Sequence, residues 1–243
     1  MKFEDIKKLH QKRYREELGH YLVEGEHLIQ ELQKAAETNP ALQTSEVFIT
    51  GDRDSWQSRL TVRTITASQM AQLSETKTPQ GIVALVPRVP SPAPRAGERA
   101  IYLNEVQDPG NLGTILRTLA WFGGFRCLLS PGSVDPTNSK AIRASMGAIF
   151  HVPLEEEVDA TVLQGRYRNV ASLGLAGDSI ASAAFRLHDC YVFGNEARGL
   201  PVDVLADLKA TPFTIAGREG VESLNLAAAV NMCVYELNRE SRS

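Results

Sequence analysis

The chain has 243 residues, 43% of them hydrophobic, with 26 Lys+Arg against 29 Asp+Glu and a formal net charge of -3. That length fills one large core or two modest ones, and the acidic balance excludes nucleic-acid binding through overall charge, so any such contact must be local. No apolar run approaches the ~18 residues of a membrane span, the charged N-terminus lacks the apolar stretch of a signal peptide, and the five histidines show no ligand-like spacing. Cys127, Cys190 and Cys233 are too scattered for a disulfide framework or a metal cluster. A cytoplasmic protein with reduced core thiols and no metal is expected.

In chain order, Phe3 to Leu18 reads as a basic helical stretch carrying Lys7, Lys8, Lys12, Arg13 and Arg15. Such a cluster is usually a solvated helix face, but Lys and Arg are also the main source of affinity for phosphates. A strand around Tyr21 to Val23, a helix over Glu26 to Glu37 and strands near Val47 to Thr50 and Gly81 to Val86 follow, and this alternation predicts a small α/β domain. Pro87 to Arg99 contains Pro87, Pro90, Pro92 and Pro94 without apolar periodicity, the composition of an extended linker. The expected organisation is therefore a domain over residues 1–88, a linker over 89–98 and a second domain over 99–243.

Beyond the linker, Ala100 to Val106 is a short β-rich run, Pro109-Gly110 is a breaker, and a helix is expected to start near Asn111, a preferred capping type. Leu112, Ile115, Leu116 and Leu119 form an apolar stripe that leaves Arg117 nearly opposite, outside the core. A second run, Asp189 to Phe193, leads into Gly194-Asn-Glu-Ala-Arg-Gly199, whose glycines permit close approaches. A third, Thr211 to Ile215, precedes a turn with Gly217 and Gly220, after which Leu226, Val230, Val234 and Leu237 mark a buried helix face with Ser223 as its N-cap. Taken singly, these residues read as caps, turns and solvated faces. All three loops nevertheless sit where a strand meets a helical pattern, which is where open α/β sheets bind ligands.

The ordered set Asn111-x-Gly-x-x-x-Arg117, Gly194-x-Glu-x-x-Gly-Leu200 and Ser223-Leu-Asn225 resembles the signature of the SpoU/TrmH-type RNA 2'-O-ribose methyltransferases. Ser139-Lys-Ala-Ile-Arg-Ala-Ser-Met-Gly-Ala148 is similar to a further segment of that family, while Val23-Glu-Gly-Glu26 and Thr78-Pro-Gln-Gly81 resemble its ribosomal-protein-like substrate-binding domain. The resemblance implies an α/β fold with a C-terminal knotted domain of the SPOUT class behind a smaller N-terminal domain, S-adenosylmethionine as cofactor, an RNA substrate (rRNA favoured over tRNA) and a homodimer.

Carried over by motif position, the catalytic candidates are Asn111, Arg117, Glu196, Ser223 and Asn225. The cofactor candidates are Gly194, Asn195, Gly199, Ile215, Gly217 and Leu224, and Lys140 and Arg143 join the N-terminal cluster as RNA contacts. The loop from Gly217 to Ser223 is longer than the commoner family form, so alignment selects Phe213 or Ile215, of which Ile215 is preferred; Ala197 and Arg198 replace the small or acidic residues often found there. Because a guanidinium with a pKa above ~12 holds its proton, polarisation and phosphate positioning are expected of Arg117 before general-base work. A non-catalytic RNA-binding or ribosome-assembly factor is the competing reading. A dinucleotide-dependent oxidoreductase lacks its Gly-x-Gly-x-x-Gly.

Overall fold

A computed structural model describes residues 1–53, 55–218 and 223–239, so Gly220, Val221 and Glu222 of the loop before the third motif lie outside the described residues. The chain divides into two compact units, one of Met1–Pro90 with Asp135–His151, the other of Ser91–Val134 with Val152–Ser243.

In the first unit the expected basic helix is broken. It forms α1 (Phe3–Ile6), a 3-10 turn over Lys7–His10 and α2 (Lys12–Leu18), with Gln11 extended at φ -100° between them. Gly19, at φ 63°, ends α2 in the left-handed conformation that glycine adopts without strain. Strands β1 (His20–Glu24), β2 (Glu46–Thr50), β3 (Thr61–Ile65) and β4 (Ile82–Pro87) pair in the order β1-β4-β2-β3, with helices α3 (Glu26–Thr38) and α4 (Ala67–Leu73) connecting them.

Alternation along the strands builds two cores. Val47, Ile49, Ala84 and Val86 pack with Leu28, Ile29 and Leu32 of α3, whereas Phe48, Val83 and Leu85 pack with Ile6, Leu9, Met70 and Leu73. Strand β3 and helix α4 were not among the elements read from the sequence. Their short, polar-rich segments carry little periodic signal.

The second unit begins with β5 (Arg99–Leu103), α5 (Pro109–Phe122) and β6 (Phe125–Leu129). The chain then contributes α6 (Ser139–Ser145) to the first unit, where Ile142 joins the core beneath α3. It resumes with β7 (Leu154–Glu155), α7 (Leu163–Arg166), β8 (Val170–Gly174), β9 (Asp178–Ser179), β10 (Cys190–Phe193), α8 (Val202–Leu208), β11 (Thr211–Thr214) and α9 (Leu226–Asn238). These strands form a parallel sheet ordered β7-β6-β5-β10-β8-β11-β9.

The predicted apolar stripes of α5 and α9 are buried, and Thr118 Oγ1 donates to Asn231 Oδ1 at 2.7 Å where the two helices pack. All three cysteines are buried free thiols, and burial pushes Cys127 up to about 12, which suits a core residue and not a nucleophile.

One ion pair ties distant parts of the first unit together. Arg15 on α2 donates from Nε and Nη2 to Asp135 Oδ2 at 3.0 and 2.6 Å, and from Nη1 to the carbonyls of Leu9 and His10. Both side chains are buried. Arg15 was expected to contact RNA; its fork is instead spent inside the unit, so it is not a surface cation. Burial works to raise the Asp135 pKa, but hydrogen bonds from Thr137 and Arg15 outweigh it and hold the carboxyl below its ordinary value.

A depressed folded-state pKa stabilises the fold above the unfolded value of ~3.9 and is lost as pH falls through the lower folded value. Asp135→Asn, which strands a buried guanidinium, is expected to cost about 3–5 kcal/mol at pH 7 by urea unfolding. The gap to wild type should narrow below about pH 4.

Candidate functional site

Register decides which loops meet. Leu103 of β5 pairs with Phe193 of β10, Phe193 with Leu173 of β8, and Leu173 with Phe213 of β11. The residues that follow these strands therefore leave the sheet along one edge, the first two motif loops side by side and the third two strands further along. Strand β5 stops at Leu103, short of the expected Val106. Glu105 holds φ 51°, with its N–H donated to Ser130 Oγ at 2.7 Å and its carbonyl accepting from Asn195 Nδ2 at 2.8 Å.

Helix α5 starts earlier than expected. Asp108 is its N-cap, accepting from the Asn111 N–H at 2.7 Å, and this frees the Asn111 side chain from the capping role foreseen for it. Likewise Asn225, not Ser223, caps α9, accepting from the Ala228 N–H at 3.1 Å. Asn225 Nδ2 donates to Asn111 Oδ1 at 2.9 Å, and Asn111 Nδ2 donates to Glu196 Oε1 at 3.2 Å. The polarity of this chain has one solution: the helix N–H only donates and the carboxylate only accepts, so both amides are oriented between them. Glu196 also accepts from the N–H groups of Gln107 and Asp108, each at 3.3 Å, which clamps the first motif loop to the second.

The second loop is closed by its own backbone. Asn195 N donates to Gly199 O at 3.0 Å and Gly199 N to Asn195 O at 2.9 Å, while Asn195 Oδ1 accepts from the N–H groups of Ala197 and Arg198. Gly199 sits at φ 67°, which explains the glycine. Asn195 and Gly199, expected at the cofactor, use their backbone groups and most of the Asn195 amide to fold the loop. Gly194 is packed so tightly that a Cβ would lie 2.2 Å from the Gly199 carbonyl carbon and 2.4 Å from Leu200 N.

Arg117 is exposed and makes no ion pair or hydrogen bond with the described residues. It lies six residues beyond Asn111 on α5, roughly 9 Å along the axis and roughly 120° round it, so the fold does not join it to the amide chain. Ser223 is exposed near the end of the third loop, two residues before the N-cap of α9. Phe213 is buried in edge-to-face contact with Phe185 and His188, whereas Ile215 in the loop after β11 is only partly buried. Gly217 has open space where a side chain would stand and Leu224 is 46% exposed. Exposed apolar side chains such as Leu224 suit an adenine or thioether.

The loop Gly174-Leu-Ala-Gly177 after β8 was missed. It leaves the sheet between the second and third motif loops, its Leu175 is exposed, and a Cβ on Gly177 would meet Pro212 O at 2.4 Å. The glycine pair closing an apolar run was the available signal.

The basic candidates Lys7, Lys8, Lys12, Arg13, Lys140 and Arg143 all fall in the first unit. Four of them face acids on their own helical stretch: Lys7 with Glu4 at 2.7 Å, Lys8 with Asp5 at 2.8 Å, Lys12 with Glu16 at 3.6 Å and Arg13 with Glu17 at 4.0 Å. Their field is thus weaker than the run of basic residues suggests, although such surface pairs exchange readily. Among the described residues no group of three His, Cys, Asp or Glu side chains is placed to hold a metal, and no helix is long and apolar enough to cross a membrane.

Residues 98–235 match the model of the SpoU rRNA Methylase family and residues 2–84 that of the MRM3-like substrate binding domain. The 23S rRNA (guanosine(2553)-2'-O)-methyltransferase RlmP of Bacillus subtilis is 31% identical over 97% of this chain and 95% of its own length. Among solved structures, a putative TrmH-family RNA methyltransferase of Porphyromonas gingivalis superposes with a TM-score of 0.81 at 29% identity over 98% of this chain and 96% of its own. An AdoMet-bound rRNA methyltransferase of Sinorhizobium meliloti gives 0.81 at 25% over 99% and 95%.

Gly194→Ala is expected to push the Gly199–Leu200 backbone away from the end of β10. The clash is with backbone, so a cost of about 1–3 kcal/mol is expected, together with weakened S-adenosylmethionine binding; thermal unfolding and calorimetric titration measure the two.

Proposed function

We propose, for a chain that belongs to the SpoU rRNA methylase family and is an S-adenosylmethionine-dependent RNA 2'-O-ribose methyltransferase, that ribosomal RNA is its substrate and that the Glu196–Asn111–Asn225 chain frames its active site. The observation that carries the site assignment is this hydrogen-bond chain itself, in which Asn111 of the first motif bonds one residue of the second, 85 positions away, and one of the third, 114 positions away. The choice of rRNA is supported by the full-length likeness to an enzyme named for 23S rRNA and by the substrate-binding domain matched in the first unit.

S-adenosylmethionine, when bound, supplies a methyl group already activated on a sulfonium. The residues that would hold it are Gly194, Ile215, Gly217 and Leu224, with Leu224 and Ile215 covering its apolar parts. The protein's remaining task is positioning. Asn111 and Asn225 each use one N–H of their side-chain amide in the chain and keep the second for a ribose or phosphate oxygen. Glu196 holds both loops in place. Arg117, permanently charged, would stabilise the negative charge that develops on the ribose 2'-oxygen as its proton passes to water. Ser223, exposed at the same helix start, contributes a further hydrogen-bonding group.

Arg117 and Trp121 are four residues apart and share one face of α5, where Trp121 is 77% exposed; Met232 and Tyr235 are exposed on α9, and Tyr235 meets the Phe122 ring edge-on. These exposed apolar side chains on two helices that pack together support a homodimer formed through α5 and α9, which would bring Arg117 to the partner's site. The knot implied by the resemblance and a cytoplasmic location, where ribosomes are assembled, complete the proposal.

Incubation of the protein with S-adenosylmethionine and unmodified rRNA or tRNA, followed by mass spectrometry of the nucleosides, tests the reading. A 2'-O-methylnucleoside is expected from the rRNA pool; product from tRNA alone would reverse the substrate assignment. Arg117→Ala is expected to lower kcat by about 10²–10³-fold with S-adenosylmethionine affinity retained. Trp121→Glu should shift the mass in solution from dimer to monomer by light scattering, and a monomeric wild type would remove the dimer from the proposal.

A further inference from the structure

Arg198 is a charged residue at the tip of the second motif loop, and the active-site frame leaves its side chain unused. Its backbone is fixed, since its N–H is held by Asn195 Oδ1 at 3.1 Å within a turn closed at Asn195 and Gly199. Its side chain is 70% exposed and its Nη2 donates to Glu105 Oε2. The partner is equally well anchored: Glu105 is pinned through its N–H by Ser130, through its carbonyl by Asn195 and Gln107, and sits at φ 51°, a conformation that a non-glycine residue adopts only under restraint.

Two rigid backbones thus present an exposed guanidinium and its counter-ion beside Glu196, the loop neighbour that carries the Asn111 contact. An ion pair this exposed contributes little to stability, about 0–1 kcal/mol. The arrangement has a clearer use as a cation kept in place until a stronger anion arrives. Guanidinium bonds phosphate bidentately and holds it more firmly than a single carboxylate oxygen in water does.

We propose that Arg198 is a phosphate-positioning residue for the RNA, with Glu105 as its displaceable counter-ion. The inference rests on the RNA methyltransferase reading above and adds a substrate contact to it. On binding, a backbone phosphate of the RNA takes the Arg198 fork and Glu105 is released to solvent.

The test measures binding of an unmodified 23S rRNA transcript to the full chain over a range of salt concentrations, which requires no turnover and so stands apart from the activity assay. Arg198→Ala is expected to weaken binding several-fold at low salt and to reduce the slope of log K against log salt by roughly 0.7–1, the signature of one lost phosphate contact. Arg198→Lys should restore the slope, since Lys keeps the charge. Glu105→Gln, which frees the guanidinium, should tighten binding.

S-adenosylmethionine affinity unchanged in all three variants shows that the loop still folds. An unaltered slope in Arg198→Ala would overturn the proposal, as would equal weakening by Arg198→Ala and Glu105→Gln, which would mark the pair as a structural brace. Absence of 2'-O-methyl product from wild type, with the slope change present, would count against the catalytic reading and leave the phosphate contact standing.

Discussion

The parallel pairing of β5 with β10 places Leu103 beside Phe193, so that Asn104 and Gly194 leave the sheet as neighbours. The rest of the second unit's site is a consequence. Parallel strands cannot be joined by tight turns, so each returns through a crossover and every strand ends on the same edge. With β8 on the far side of β10 and β11 beyond it, loops distant in sequence are delivered to one edge by hydrogen-bond register alone.

That edge is then stiffened by polar groups whose partners admit no alternative. Glu196 takes two backbone N–H groups and one amide, Asn195 turns its amide oxygen and one amide N–H to backbone, and Asn225 caps α9 while reaching Asn111. Catalysis by positioning needs this kind of support, because a misplacement of about 1 Å is costly when the barrier is lowered mainly by alignment. The glutamate and asparagines of these loops hold the loops to one another. Arg117 stands outside this network, on a helix face whose apolar neighbours are themselves exposed.

The first unit handles its charges differently. Where the chain carries a basic run, neighbouring acids at helical spacing soften it, and one of its cations, Arg15, is turned inward to Asp135. A chain of net charge -3 therefore offers RNA a set of exchangeable surface pairs in place of a uniform positive field.

The sequence alone sufficed for the family motifs, the apolar stripes of α5 and α9, the reduced cysteines and most strands of the first unit, because periodicity and turn chemistry are local properties that short windows carry. It could not supply the caps: Asn111 and Ser223 were plausible N-caps, and only the positions of Asp108 and Asn225 against neighbouring loops settled which residues cap and which are free. Nor could it show that Arg15 is buried, that Asn195 and Gly199 fold the loop they occupy, or that Asp135–His151 packs with the first unit. Each of these depends on a partner from 4 to 120 residues away. A hydrogen bond or ion pair is specified by the geometry of both ends, and one end is all that a local reading of the chain contains.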